Sequence, residues 1–124
     1  MPLEFHEPRE QLPAEVINQH RAIASLIEEL EATMWYQMRA AASDDETVRA
    51  VLEHNRDEEI EHAMMLLEWV RRNFPGFDEQ MRTYLFTSAP ITEIEEVQES
   101  SGEEPTGSVK SSGNLNVGSL KEGA

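Results

Sequence analysis

The four residues Glu59-Ile60-Glu61-His62 hold the chemistry-bearing pattern of this chain, a Glu-x-x-His. Residues three apart on a helix project side by side, so one segment offers an oxygen and a nitrogen donor to a single cation. An advance of about 100° per residue from Val48 places Val48, Leu52, Asn55, Glu59, His62, Leu66 and Trp69 on one stripe, flanked by Val51, Ala63 and Val70. A carboxylate and an imidazole thus stand where Leu or Ile is expected. Burying them there is costly unless something pairs with them, and a divalent metal is the best available partner. The motif alone is common in an acidic helical chain; its place on the apolar stripe gives it weight. A satisfied core histidine, and a Glu59 paired with an arginine, are the alternatives.

The elements that must position these residues are helices. Residues 1–13 form a polar arm with Pro2 and Pro8, and Pro13 suits the first turn of a helix. A long helix is expected from Ala14 to Ala42, then a turn at Ser43-Asp44-Asp45-Glu46, with Ser43 and Glu46 spaced as a capping box. A second helix is expected from Glu46 to Asn73, stopped by Phe74-Pro75-Gly76, and a short third from Asp78 to Phe86. The helical domain is therefore read as 14–92. Residues 93–114 read as an acidic, then Ser/Gly-rich flexible linker, with at most a helix turn at its start, and 115–124 as a separate terminal peptide.

Two long helices in an antiparallel hairpin enclose no core, because each covers only one side of the other. Helix 1 carries two stripes: Ile23, Ile27, Leu30, Met34 and Met38, and, roughly 120° away, Ala22, Leu26, Glu29, Thr33, Tyr36 and Ala40. The second, mixed in character, suits close helix approach around a polar site. Two seams imply two neighbours. The expected fold is all-α: an antiparallel two-helix hairpin plus a short C-terminal helix, dimerising into a four-helix bundle.

Di-iron carboxylate bundles of the ferritin-like class take a Glu from each of two helices and a Glu-x-x-His from each of the other two. This chain presents half of that set, and a two-fold dimer would complete it. Spacing leaves Glu28, Glu29 and Glu31 as competing donors from helix 1. Glu29 lies in the mixed seam, whereas Glu28 and Glu31 share a face with Trp35 and read either as a solvated acidic patch or as a site that attracts metal. Carboxylate and imidazole donors without thiolate suit Fe²⁺, Mn²⁺ or Zn²⁺; iron is favoured because a carboxylate-bridged pair can reduce O₂ by two electrons. Tyr36 reads as a packed phenol or as an electron donor to such a centre. His20 and His54 take structural readings first, and Glu58 and Glu61 read as a solvated face.

Composition narrows the alternatives. The net charge is −15 over 124 residues, which disfavours nucleic acid, and cysteine is absent, which removes disulfides, thiolate sites and cysteine nucleophiles. No long apolar run or signal peptide is present, so a soluble intracellular protein without membrane contact is expected. A metal buffer that does not turn over, and a helical adaptor, remain as competing functions.

Glu28-Glu29-Leu30-Glu31-Ala32 with Trp35-Tyr36, then His54-Asn55-Arg56-Asp57-Glu58-Glu59 with Glu61-His62, then Arg82-Thr83-Tyr84-Leu85-Phe86, resemble the motifs of the encapsulated ferritin family. The resemblance covers residues 14–92. It implies a ferritin-like bundle and a ferroxidase that oxidises Fe(II) to Fe(III) with O₂ at a centre of two irons per subunit pair. It implies Glu29, Glu59 and His62 as ligands, Tyr36 beside the centre, and Glu28, Glu31 and Trp35 as the site that admits metal. It further implies a homodimer, a ring of five dimers, and a cytoplasmic location in the lumen of an encapsulin nanocompartment. The terminal Leu115-Asn116-Val117-Gly118-Ser119-Leu120-Lys121 resembles the peptide that docks cargo on an encapsulin shell protein. A short apolar and glycine-rich motif on a flexible tether suits such docking.

Overall fold

The computed structural model describes residues 4–101, in which four α-helices follow a single 3-10 turn at Arg9–Gln11. These are α1 (Ala14–Ala42), α2 (Glu46–Asn73), α3 (Phe77–Tyr84) and α4 (Ile91–Ser101), with no strand among the described residues. No described helix is long and apolar enough to cross a membrane. The chain divides after Phe74 into two compact units, one built on α1 and α2, the other on α3 and α4.

In the first unit α1 and α2 pack along their length as an antiparallel pair. The turn between them is short because Ser43 already closes α1, its N–H donating to Ala40 O at 3.2 Å. The expected capping box does not form. Asp45, not Ser43, caps α2: its Oδ1 accepts the N–H of Thr47 at 2.8 Å and of Val48 at 3.0 Å, which satisfies two of the free donors of the first turn. Those bonds hold the Asp45 carboxyl below its ordinary range, the Thr47 hydroxyl contributing most. Pro13 sits one position earlier than expected, as the residue before α1, where its carbonyl accepts from Ile17 N–H at 3.1 Å.

The mixed stripe of α1 is the one that faces α2. Ala22 and Ala40 are buried and Leu26, Glu29, Thr33 and Tyr36 half-buried, while Ile27, Leu30, Met34 and Met38 are exposed, Met38 at 58%. On α2 the inner face is turned toward Ala63 and Val70, two of the three residues expected to flank the stripe. Ala63 and Val70 have no exposed surface, whereas Val48, Val51 and Trp69 are exposed. Small side chains decide this choice, since Ala22, Ala40 and Ala63 let two helix backbones approach closely where a row of Ile, Leu and Met holds them apart. Polar ties fix the register: Gln19 Nε2 donates to Asn73 O at 2.9 Å, Arg56 Nη1 to Gln37 Oε1 at 2.8 Å, and Arg49 Nη2 to Ser43 O at 2.9 Å. Beyond the seam, Glu68 bonds both Arg71 and Arg72 at 2.7 Å, which pulls its carboxyl down to about 2.

The second unit begins at a turn whose Gly76 has φ 102°, a conformation a side chain would strain. α3 ends at Tyr84, two residues earlier than expected, because Leu85 is extended and Phe86 turns to φ 63°. The segment from Glu93, read from sequence as linker, is helical through Ser101 in α4. Ile94 and Gln98, one turn apart, are its half-covered side, and Pro90 O accepts from Ile94 N–H at 3.2 Å to start it. The remainder of the expected linker and the terminal peptide 115–124 lie outside the described residues.

Candidate metal centre

The antiparallel register brings the middle of α1 against the middle of α2, and Glu29 meets Glu59 and His62 there. His62 Nδ1 lies 3.4 Å from Glu59 Oε1 and 3.7 Å from Glu29 Oε1. One donor atom from each of the three side chains falls within 4.8 Å of the others, the only such group of three His, Asp or Glu among the described residues. Donors at about 2.0–2.2 Å from one cation are at most about 4 Å apart, so small side-chain movements would bring all three onto one ion. Of the three glutamates that compete on α1, Glu29 is the one beside Glu59 and His62. Glu29 points into the seam, and Glu28 and Glu31 are exposed.

Electrostatics give the same account. The Glu59 carboxylate beside it, with partial burial, raises the Glu29 carboxyl above its ordinary value, against a smaller lowering by His62. Two carboxylates side by side have acceptors and no donors. The imidazole is a single partner for both. What the cluster lacks is positive charge, and a carboxylate–imidazole set fits a divalent first-row cation. Thr33 takes no part, because its hydroxyl donates to Glu29 O at 2.9 Å within α1.

The cluster is open on one side. The side chains of Glu29 and Glu59 keep 27% and 23% of their surface and that of His62 keeps 45%. Three donors with exposed faces would leave coordination positions of a bound cation unfilled by one chain.

The remaining candidates are spread around this centre. Tyr36 is on the same seam, but seven residues at a rise of about 1.5 Å set it about 10 Å along the axis from Glu29. Its ring and that of exposed Trp35 share the Arg39 guanidinium, at 5.9 and 6.0 Å from their centroids. His20 packs edge-on against Phe5 at 4.5 Å between ring centroids, in a hollow under the N-terminal segment. His54 is exposed, with Nε2 3.6 Å from Glu58 Oε2, and the other oxygen of Glu58 lies 3.9 Å from His62 Nε2. Sequence reading gave Glu58 no role, although the four-residue spacing of His54, Glu58 and His62 was the available signal.

Several known proteins are similar to this chain. Residues 4–88 match the family model described as EncFtn-like. The chain is 59% identical over 104 residues to a ferritin-like protein of Thermotoga maritima, covering 84% of this chain and 90% of that protein. It is 51% identical over 121 residues to an encapsulated ferritin-like protein of Rhodospirillum rubrum, covering 94% of this chain and 86% of that one. The crystal structure of a protein from Nitrosomonas europaea superposes with a TM-score of 0.68 at 53% identity, over 70% of this chain and 96% of that one.

Proposed function

The chain belongs to the EncFtn-like family, the encapsulated ferritins, and from that premise we propose that it is a ferroxidase whose centre is completed by a second copy of the chain. The observation that carries the proposal is the Glu29–Glu59–His62 cluster, short of positive charge and open on one face. Two copies related by a two-fold axis would contribute four carboxylates and two imidazoles, a donor set for two irons. The exposed apolar stripe Ile27, Leu30, Met34 and Met38 supports association, since a monomer rarely leaves such a row in water.

Iron is the substrate, each Fe²⁺ giving one electron to dioxygen. The protein's part is to bind and to hold. Glu29 and Glu59, drawn together by the seam against their mutual repulsion, supply negative charge that favours the ferric over the ferrous ion. His62 supplies a neutral donor and limits the net charge of the site. Closing the open face against a partner would exclude bulk water and leave room for dioxygen. Glu28, Glu31 and Trp35, exposed on α1, are assigned to admitting iron, and Tyr36 to the periphery of the centre in the assembled protein. The assembly is proposed as a homodimer within a ring of five dimers, held in an encapsulin shell by the peptide 115–124, with oxidised iron stored by the shell.

Aerobic oxidation of Fe²⁺ at many equivalents per chain tests the activity. The native protein should keep oxidising past stoichiometric iron, and His62→Ala should fall to the rate of buffer. Saturation at stoichiometric iron would establish a metal buffer instead. Deleting Val117–Ala124 should abolish loading of a co-expressed encapsulin shell and leave oxidation intact; loading by the truncated chain would remove the peptide from the assignment.

A further inference from the structure

His54, Glu58 and His62 follow one another at intervals of four residues on α2, and the Glu58 carboxylate lies between the two imidazoles. Its Oε2 is 3.6 Å from His54 Nε2 and its Oε1 is 3.9 Å from His62 Nε2. The other nitrogen of His62, Nδ1, faces Glu59 and Glu29. The ring therefore has one nitrogen toward the cluster and one toward Glu58. A neutral imidazole carries its proton on one nitrogen and offers a lone pair on the other, so the partner of the outer nitrogen decides whether the inner one is free to ligate.

We propose that Glu58 is a positioning residue: it accepts the Nε2–H of His62 and so turns the Nδ1 lone pair toward Glu29 and Glu59. The proposal rests on the metal-binding reading of that cluster. The separation of 3.9 Å is longer than a hydrogen bond, and a small torsion of either side chain or one bridging water closes it. Glu58 is well suited to the task. Backbone geometry puts it one turn before His62, so no tertiary contact is needed to hold it there, and His54 engages the oxygen that His62 does not face. Glu29 and Glu59 compete for the same ring proton from the other side. Without Glu58 the imidazole would tend to donate Nδ1–H to those carboxylates, which blocks its lone pair. Outer carboxylates that orient ligating histidines typically change metal affinity by roughly 10–100-fold.

The test uses the full chain with Zn²⁺, a diamagnetic probe of the same donor set. Long-range ¹H–¹⁵N spectra of the histidine rings and Zn²⁺ affinity by chelator competition are recorded for native, Glu58→Ala, Glu58→Gln and His62→Ala proteins. In the native protein Zn²⁺ should shift His62 Nδ1 and leave a slowly exchanging proton on Nε2. Glu58→Ala should speed that exchange and weaken Zn²⁺ binding by roughly 10–100-fold. Glu58→Gln, whose amide oxygen still accepts a hydrogen bond, should restore the slow exchange and most of the affinity. Equal losses in the two Glu58 variants would mean that only its charge matters and would overturn the proposal, as would exchange and affinity unchanged in Glu58→Ala. A His62 Nδ1 signal indifferent to Zn²⁺, with native affinity in His62→Ala, would overturn the metal-binding reading itself.

Discussion

Two polar stations in the seam between α1 and α2 differ in one respect. Near its end, Gln19 is buried at 9% exposure and its amide is matched: it donates to Asn73 O at 2.9 Å, one of the carbonyls that the end of α2 leaves without a helical partner, and to Glu15 Oε2 at 3.4 Å. Near the middle, Glu29 and Glu59 stand together with one imidazole nitrogen against both, and the Glu29 carboxyl is raised above its ordinary value. The first station is complete within the chain and ties the hairpin together. The second is short of positive charge within the chain and, on the proposed reading, takes a cation from outside. A buried polar group whose partners are all present serves structure, whereas one that lacks its countercharge marks a place where something else binds.

The sharpest test of that contrast is the effect of metal on stability. Zn²⁺ at about 100 times its Kd should stabilise the native protein by about 2.7 kcal/mol in chemical denaturation, and Gln19→Ala by the same increment. Glu59→Ala should show none of it. An increment that survives in Glu59→Ala would dissolve the distinction between the two stations. Without metal the order reverses: Gln19→Ala should cost about 1 kcal/mol, because the Asn73 carbonyl loses its protein donor, while Glu29→Gln should cost less or stabilise.

The smallest effect is in the pH dependence. The folded-state pKa of Glu29 is raised above its ordinary 4.5, so this group favours the folded state fully below its unfolded pKa and that contribution is lost as pH rises through the raised value. Metal-free native protein should therefore lose stability relative to Glu29→Gln as pH climbs upward from about 4.5. Glu68, held down at about 2 by Arg71 and Arg72, acts in the opposite direction and in a lower window, from its ordinary value of 4.5 down through about 2. A difference between native and Glu29→Gln that does not change with pH would show that the two carboxylates do not repel each other in solution.

Local pattern was enough for much of this molecule. The bounds of α1 and α2 follow from periodicity and from Pro13, the turn Ser43-Asp44-Asp45-Glu46 and Phe74-Pro75-Gly76, all read within a few residues of where they act. Glu59 and His62 share a helix face by the same local geometry, so their pairing needed no fold. The order of the ends was less secure. Asp45 rather than Ser43 caps α2, because both are capping types two residues apart and only the backbone turn chooses between them. α4 was hidden by its glutamates, which dilute the Ile91, Ile94 and Val97 pattern below what sequence alone distinguishes from linker.

The partner of the Glu-x-x-His was a tertiary decision. Glu28, Glu29 and Glu31 have the same chemistry and stand within one turn, and each step along α1 rotates a side chain by about 100°. Which one enters the seam depends on which of two stripes packs inward, and both are continuous. Ala22, Ala40 and Ala63 settle it jointly from two helices, together with the ties at Gln19, Arg56 and Arg49. Local pattern in the chain is enough for two helices and for the shared face of Glu59 and His62. Close approach between the helices decided the rest, because register is a property of the pair and neither helix carries it alone.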